Sequence, residues 1–126
     1  MPLSFHKEAM TASRASHCAN EQGKFWEYRE LLYQNQDKLL PEPLAGYAQD
    51  IGLQVDDFDQ CFTSNRYRED IERDQEVAKN ESITGTPTFV IGKTTDDVIK
   101  GKRIVGAQAY KVFSDEIEAQ LKAAKK

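Results

Sequence analysis

Apolar residues in the first two thirds of the chain recur every three or four positions, which is the period of a helix with one buried face. From Phe5 this spacing runs through a series of alanines, with Ser4 as the predicted N-cap and Gly23 as the stop. Four further segments with the same period follow: 25–35, 44–51 before Gly52, 56–62 behind an Asp56 cap, and 67–78. The pattern predicts five helices before residue 82.

The pattern changes after residue 82. The segment 83–91 is rich in β-branched and aromatic residues, as is typical of a strand. A polar connection from Gly92 to Gly101 precedes a predicted return strand at 102–105. The last segment, 109–124, predicts a helix whose inward positions are Tyr110, Phe113, Ile117 and Leu121. The predicted order is five helices, one β-hairpin and one helix.

Length and charge narrow the class of protein. The chain has 126 residues and a formal net charge of −4. Its length predicts a single domain, 1–126. The change of pattern divides this domain into a helical region (1–81) and a hairpin region (82–126). The sequence has no concentration of basic residues that would indicate nucleic acid as a partner. No apolar stretch approaches the ~20 residues that span a bilayer, and the first residues lack the features of a secretory signal, so no membrane partner is expected.

Two cysteines, Cys18 and Cys61, exclude a disulfide-dense miniprotein and a four-thiolate zinc site. They lie 43 positions apart on different predicted helices, so three interpretations stay open. They form buried free thiols, or a structural disulfide whose loop closure contributes about 4 kcal/mol in the chain-entropy model. In the third, Cys18 is reactive beside His17, although neighbours on a helix point about 100° apart.

Other side chains suggest packing more than chemistry. His6, His17 and the cysteines lack the spacing of a helix-based metal site, so neither a metal nor a cofactor is expected. The aromatic residues Phe25, Trp26 and Tyr28 are predicted to anchor the core.

Three stretches together carry a family resemblance: 2–6 with 15–19, Gln-Gly-Lys-Phe-Trp-Glu at 22–27, and Gly-Thr-Pro-Thr-Phe-Val-Ile-Gly at 85–92. The chain resembles a DsbA-like thiol–disulfide oxidoreductase over nearly its whole length. The resemblance implies an α/β, thioredoxin-like fold with a helical insertion, which would be residues 1–81. It also implies a periplasmic or extracytoplasmic location, although no signal peptide is seen in this chain.

One departure from that family matters most. The family's Cys-x-x-Cys motif at a helix N-terminus precedes the Pro-Leu pair that stands here at Pro2-Leu3, and no such motif occurs in these 126 residues. A redox-active dithiol needs a thiolate of low pKa and a second thiol close enough to resolve a mixed disulfide. The fold is therefore expected to be incomplete, with no catalytic residue and no redox activity in this chain.

The best functional candidate is the segment Gly85, Thr86 and Pro87. The resemblance implies that Thr86-Pro87 is a cis peptide that helps hold an extended substrate. Local sequence alone favours a trans bond, because only about 5–6% of X-Pro bonds in folded proteins are cis.

The sequence also suggests how partners are bound. If the family's preceding strands are absent, Phe89 to Ile91 form an apolar, unpaired strand edge that could join a second copy or a partner strand. The expected function is dithiol–disulfide exchange on unfolded polypeptides in a chain that carries the missing motif. The alternatives are a non-catalytic peptide-binding module and an assembly subunit completed by another protein.

Overall fold

The structure, a computed structural model, describes residues 2–3, 6–95 and 98–124. Its elements follow the predicted order: α1 (Ala9–Glu21), α2 (Phe25–Gln34), α3 (Pro41–Asp50), α4 (Val55–Ser64), α5 (Arg68–Asn80), β1 (Thr88–Thr94), β2 (Ile99–Val105) and α6 (Tyr110–Ala124). The expected α/β class is confirmed. No helix in the described ranges has the length and apolar character needed to cross a bilayer.

The chain divides into two compact units, which we call the helical unit (1–81) and the hairpin unit (82–126). The boundary coincides with the change of pattern in the sequence. That the two units form one domain stays a prediction.

The helical unit is built around one apolar core. Helix α1 packs against each of the other four helices in this unit. The buried cluster consists of Ala15, Cys18, Ala19, Tyr28, Leu44, Ala48, Leu53, Phe58 and Cys61. Small residues on α1 let the neighbouring helices approach it closely, and Tyr28 and Phe58 fill the space between them, with ring centroids 5.5 Å apart.

Polar contacts satisfy groups at the core and at its edge. The Tyr28 hydroxyl, which is fully buried, donates a 2.8 Å hydrogen bond to the Leu44 carbonyl oxygen. At the C-terminal end of α1, Glu21 accepts hydrogen bonds from the Tyr67 hydroxyl (2.7 Å) and from Arg66 Nε (2.8 Å). These bonds tie α1 to the connection between α4 and α5.

Helix α1 begins later than the alanine spacing predicts. It starts at Ala9, because the preceding residues close turns, with His6 N–H donating to the Leu3 carbonyl at 3.0 Å and Ala9 N–H to the His6 carbonyl at 3.1 Å. The predicted helix start at Phe5 and cap at Ser4 lie outside the described residues.

Helix α4 begins earlier than predicted. The N-cap is Gln54 and not Asp56. The Gln22 side chain fixes the Gln54 backbone: its Oε1 accepts the Gln54 N–H at 2.8 Å and its Nε2 donates to the Gln54 carbonyl at 3.2 Å. Asp56 and Asp57 then lie in the first turn, where the helix dipole favours carboxylates.

The hairpin unit contains the antiparallel pair β1–β2, with Phe89 opposite Ile104 and Gly92 opposite Gly101. The prediction that residues 92–101 form a connection is wrong, because these two glycines lie within the ladder. A Cβ at either position would overlap the backbone of the opposite strand, so the close approach requires glycine on both sides.

Helix α6 packs against β1, and Phe113 meets Phe89 edge-to-face with ring centroids 5.0 Å apart. The other predicted inward positions are not buried: Tyr110, Ile117 and Leu121 are all exposed. A two-stranded sheet is too narrow to cover a whole helix face, which explains why these three side chains stay exposed.

Candidate functional site

The segment Gly85–Pro87 immediately precedes β1, and its Thr86-Pro87 peptide bond is cis. Two hydrogen bonds fix the segment at both sides. The Thr88 hydroxyl donates to the Gly85 carbonyl at 2.7 Å. The Gly106 N–H, just after β2, donates to the Pro87 carbonyl at 2.8 Å. Residues 85–87 form bends, so β1 begins at Thr88 and not at the predicted Ile83.

Strand β1 offers one free edge. Strand β2 occupies its other edge, and the described residues contain no third strand. Beside β1 lies a groove of about 660 Å³, lined by Ile91 from β1 and by Ile117 and Leu121 from α6, among others. Lys93 also lines this groove and gives it a basic rim. Of the predicted Phe89–Ile91 edge, Ile91 therefore lines this groove.

Cys18 on α1 and Cys61 on α4 form a disulfide, with their Cα atoms 5.7 Å apart. Of the three interpretations left open by the sequence, the structure has the disulfide. Each cysteine is only 1% exposed and belongs to the core of the helical unit. The bond therefore lies at no open surface, and neither sulfur is available as a thiol while it is formed.

His17 on α1 contacts an aromatic residue. The His17 ring stacks on that of Tyr67, the N-cap residue of α5, with centroids 4.9 Å apart. The neighbouring Cys18 is disulfide-bonded, so His17 has no thiol beside it to activate. Within the described ranges no three His, Cys, Asp or Glu side chains are grouped so that they could hold a metal ion.

The sequence interpretation missed one exposed surface. Trp26 was predicted to anchor the core, but it is 71% exposed, while Tyr28 is fully buried. The helical period explains the difference: Trp26 and Tyr28 are about 200° apart around α2, so they cannot share a face. The Arg29 guanidinium carbon lies 5.7 Å from the Trp26 ring centroid and 4.4 Å from that of Tyr33. The spacing Trp26, Arg29, Tyr33 is the signal that could have identified this face.

Comparison with known families shows which family the chain belongs to. A sequence profile of the family described as Thioredoxin matches residues 2–119. The chain belongs to the thioredoxin family. Membership in the thioredoxin family supports a protein of the general thiol–disulfide oxidoreductase kind.

Curated proteins that are similar to this thioredoxin-family chain are named as Na(+)/H(+) antiporters. The Na(+)/H(+) antiporter NhaA 3 of Salinispora tropica is 38% identical over 92 residues, which is 72% of this chain and 14% of that protein. The Na(+)/H(+) antiporter NhaA of Herminiimonas arsenicoxydans is 32% identical over 117 residues, 93% of this chain and 18% of that protein. The chain thus spans less than a fifth of these relatives. No solved structure matches it significantly.

Proposed function

We propose that this chain is a DsbA-like member of the thioredoxin family that binds extended polypeptide at the hairpin unit and does not itself exchange disulfides. The observation that carries the proposal is the state of its only two cysteines. They are joined to each other and buried in the helical unit, whereas the Thr86-Pro87 segment belongs to the hairpin unit.

Redox inactivity follows from the chemistry of thiol–disulfide exchange. Exchange begins with attack of an accessible thiolate on a sulfur atom along the S–S axis. Cys18 and Cys61 offer neither an accessible thiolate nor an accessible disulfide sulfur. A structural disulfide also persists best in an oxidising compartment, which supports the extracytoplasmic location that the DsbA resemblance implies.

The test uses a peptide with two thiols whose oxidation changes its fluorescence. The chain should oxidise this peptide no faster than buffer, and the double variant Cys18→Ala, Cys61→Ala should behave in the same way. Turnover by the unmodified chain contradicts the proposal. Turnover that survives the double substitution would additionally show a redox group other than the cysteines.

Peptide binding is supported by the free edge of β1 and its groove. Main-chain hydrogen bonds to a strand edge bind extended chains with little sequence preference, and adjacent pockets select alternate side chains. The groove beside Ile91 accommodates apolar side chains. The same edge could pair with a second copy, so self-association is part of this proposal.

Two variants of α6 separate groove binding from general effects. Ile117, which is 46% exposed, lines the groove, and Val112, which is 43% exposed, lies on the same helix without lining it. Ile117→Lys should weaken binding of a labelled, alternating valine–threonine peptide by about tenfold or more. Val112→Lys should leave the binding unchanged.

Fluorescence anisotropy measures the peptide affinity, and light scattering over a range of concentrations measures self-association. Equal affinities of the two variants contradict the groove as the site. A chain that neither binds the peptide nor self-associates contradicts the proposed function of the strand edge.

A second candidate function is favoured by the names of the relatives. A segment similar to this chain makes up 14–18% of two proteins named Na(+)/H(+) antiporter, so the chain could serve such an antiporter as an accessory domain. The Herminiimonas arsenicoxydans antiporter, prepared without its matched segment, should then co-purify with this chain, and its Na(+)-dependent proton movement should change. If neither occurs, this candidate is rejected.

A further inference from the structure

The exposed face of α2 brings together three side chains with an unusual arrangement. Trp26, Arg29 and Tyr33 stand at positions i, i+3 and i+7 and extend over about 10 Å of the helix. Trp26 is 71% and Tyr33 56% exposed, and both rings lie against the Arg29 guanidinium. We call these three residues the aromatic–arginine face.

Arg29 differs from the other arginines of the helical unit because its guanidinium has no polar partner among the residues that the structure describes. Arg66, Arg68 and Arg73 each pair with a carboxylate, and Arg14 donates to the Phe62 carbonyl oxygen. The Arg29 guanidinium forms neither a hydrogen bond nor an ion pair with another described side chain; it lies beside the Trp26 and Tyr33 rings.

The acidic side chains next to Arg29 along α2 are engaged elsewhere. Glu27 pairs with Lys24 at 3.4 Å. Glu30 accepts a hydrogen bond from Gln34 at 3.1 Å. The in-plane N–H donors of Arg29 are therefore not used by its helical neighbours.

We propose that the aromatic–arginine face binds a segment of another protein that presents one glutamate or aspartate beside an apolar side chain. A guanidinium whose faces contact aromatic rings keeps its edge donors free, and this edge matches a carboxylate in a bidentate geometry. The Trp26 and Tyr33 rings provide apolar contact area on either side of the carboxylate.

Two physical arguments favour this occupant. The rings restrain the Arg29 side chain before binding, so less side-chain entropy is lost when the carboxylate arrives. Tryptophan, tyrosine and arginine are also the residue types that most often dominate the energetics of protein interfaces. A single carboxylate suits the face better than nucleic acid does, because residues 1–81 carry more acidic than basic side chains and repel a polyanion.

Trp26 is the only tryptophan of the chain, so its fluorescence reports directly on this face. The probe is a capped pentapeptide, acetyl-Ala-Leu-Glu-Leu-Ala-amide, and the matched control peptide has glutamine in place of the glutamate. We expect a saturable change of tryptophan emission with the glutamate peptide and an affinity about tenfold lower with the glutamine peptide.

Variants localise the effect to the guanidinium. Arg29→Gln and Arg29→Lys should both weaken binding of the glutamate peptide by about tenfold, since lysine keeps the charge but loses the planar pair of donors. Arg73→Gln, on the exposed surface of α5, is the matched control and should bind as the unmodified chain does. Circular dichroism of each variant verifies that the helical unit is folded.

Three results would overturn the inference. The first is equal affinity for the glutamate and glutamine peptides. The second is the absence of any saturable change of tryptophan emission up to about 10 mM glutamate peptide, a concentration above the weakest dissociation constant that the proposal expects. The third is tighter binding of a short oligothymidylate, which would indicate base stacking on the aromatic rings instead.

Discussion

The helical unit and the hairpin unit differ in how much of their apolar surface they bury. The helical unit encloses a cluster of nine buried residues around Tyr28 and Phe58. In the hairpin unit, the described residues include only one buried hydrophobic side chain, Ile104. Several helices can surround a common centre, whereas two strands and one helix leave most of their apolar side chains in contact with solvent.

This difference agrees with the different roles that we propose for the two units. A buried core and a disulfide stabilise the helical unit without any partner. The free edge of β1 and its groove support the proposal that the hairpin unit binds a partner. Exposed apolar surface of this kind marks interaction sites in natural proteins.

The largest expected effect comes from removing the disulfide. Cys18→Ala with Cys61→Ala should lower the free energy of unfolding of the helical unit by about 4 kcal/mol, because the open chain regains the entropy of a 43-residue loop. Urea denaturation followed by circular dichroism measures this loss. Amide hydrogen exchange of β2 should stay unchanged; an equal loss of protection there would show that the two units unfold together.

A smaller effect, confined to the hairpin unit, is expected for Gly92→Ala. The added Cβ would meet the Lys100 carbonyl oxygen across the ladder, and such overpacking typically costs about 1–3 kcal/mol. Amide exchange of β1 and β2 measures the local loss. Gly46→Ala in α3 is the control, since its Cβ would meet no atom within 4 Å and alanine favours the helix.

The smallest effect concerns the Tyr28 hydroxyl. Tyr28→Phe leaves the buried Leu44 carbonyl oxygen without this donor and should cost about 1 kcal/mol near neutral pH. Tyr110→Phe, at an exposed position of the hairpin unit, should have no measurable effect on stability.

Burial raises the pKa of Tyr28 above its ordinary value, so the hydroxyl stays protonated in the folded state after it ionises in the unfolded state. Its contribution to stability is therefore complete below pH about 10 and declines as the pH rises above that value. Tyr28→Phe should reduce this alkaline loss in urea denaturation curves measured at neutral and alkaline pH. An unchanged alkaline loss would contradict the assignment to Tyr28.

The helices were predictable because their signals are local. Leu44 and Ala48 have the spacing of a buried face, and Gly23 and Gly52, with φ of 71° and 74°, follow the ends of α1 and α3 as expected for helix stops. Asp56 was assigned wrongly as a cap because the competing contact, from Gln22, comes from 32 residues away.

The hairpin unit was less predictable because its determinants lie across the sheet. Gly92 and Gly101 suggest a turn when each is considered alone, and only their pairing explains them as ladder positions. The inward assignment of Ile117 and Leu121 assumed a surface opposite them that two strands do not provide. The pairing of Cys18 with Cys61 likewise depends on the contact between α1 and α4, which the separate patterns of the two helices do not reveal.

The burial of the Cys18–Cys61 bond has a kinetic consequence. A reductant such as dithiothreitol needs an open path to one sulfur, and at 1% exposure the folded helical unit provides none. Reduction then has to wait for α1 and α4 to separate, so the rate at saturating reductant equals the opening rate of this helix pair. Measured across temperature, that rate would give the lifetime of the closed helical core without any denaturant.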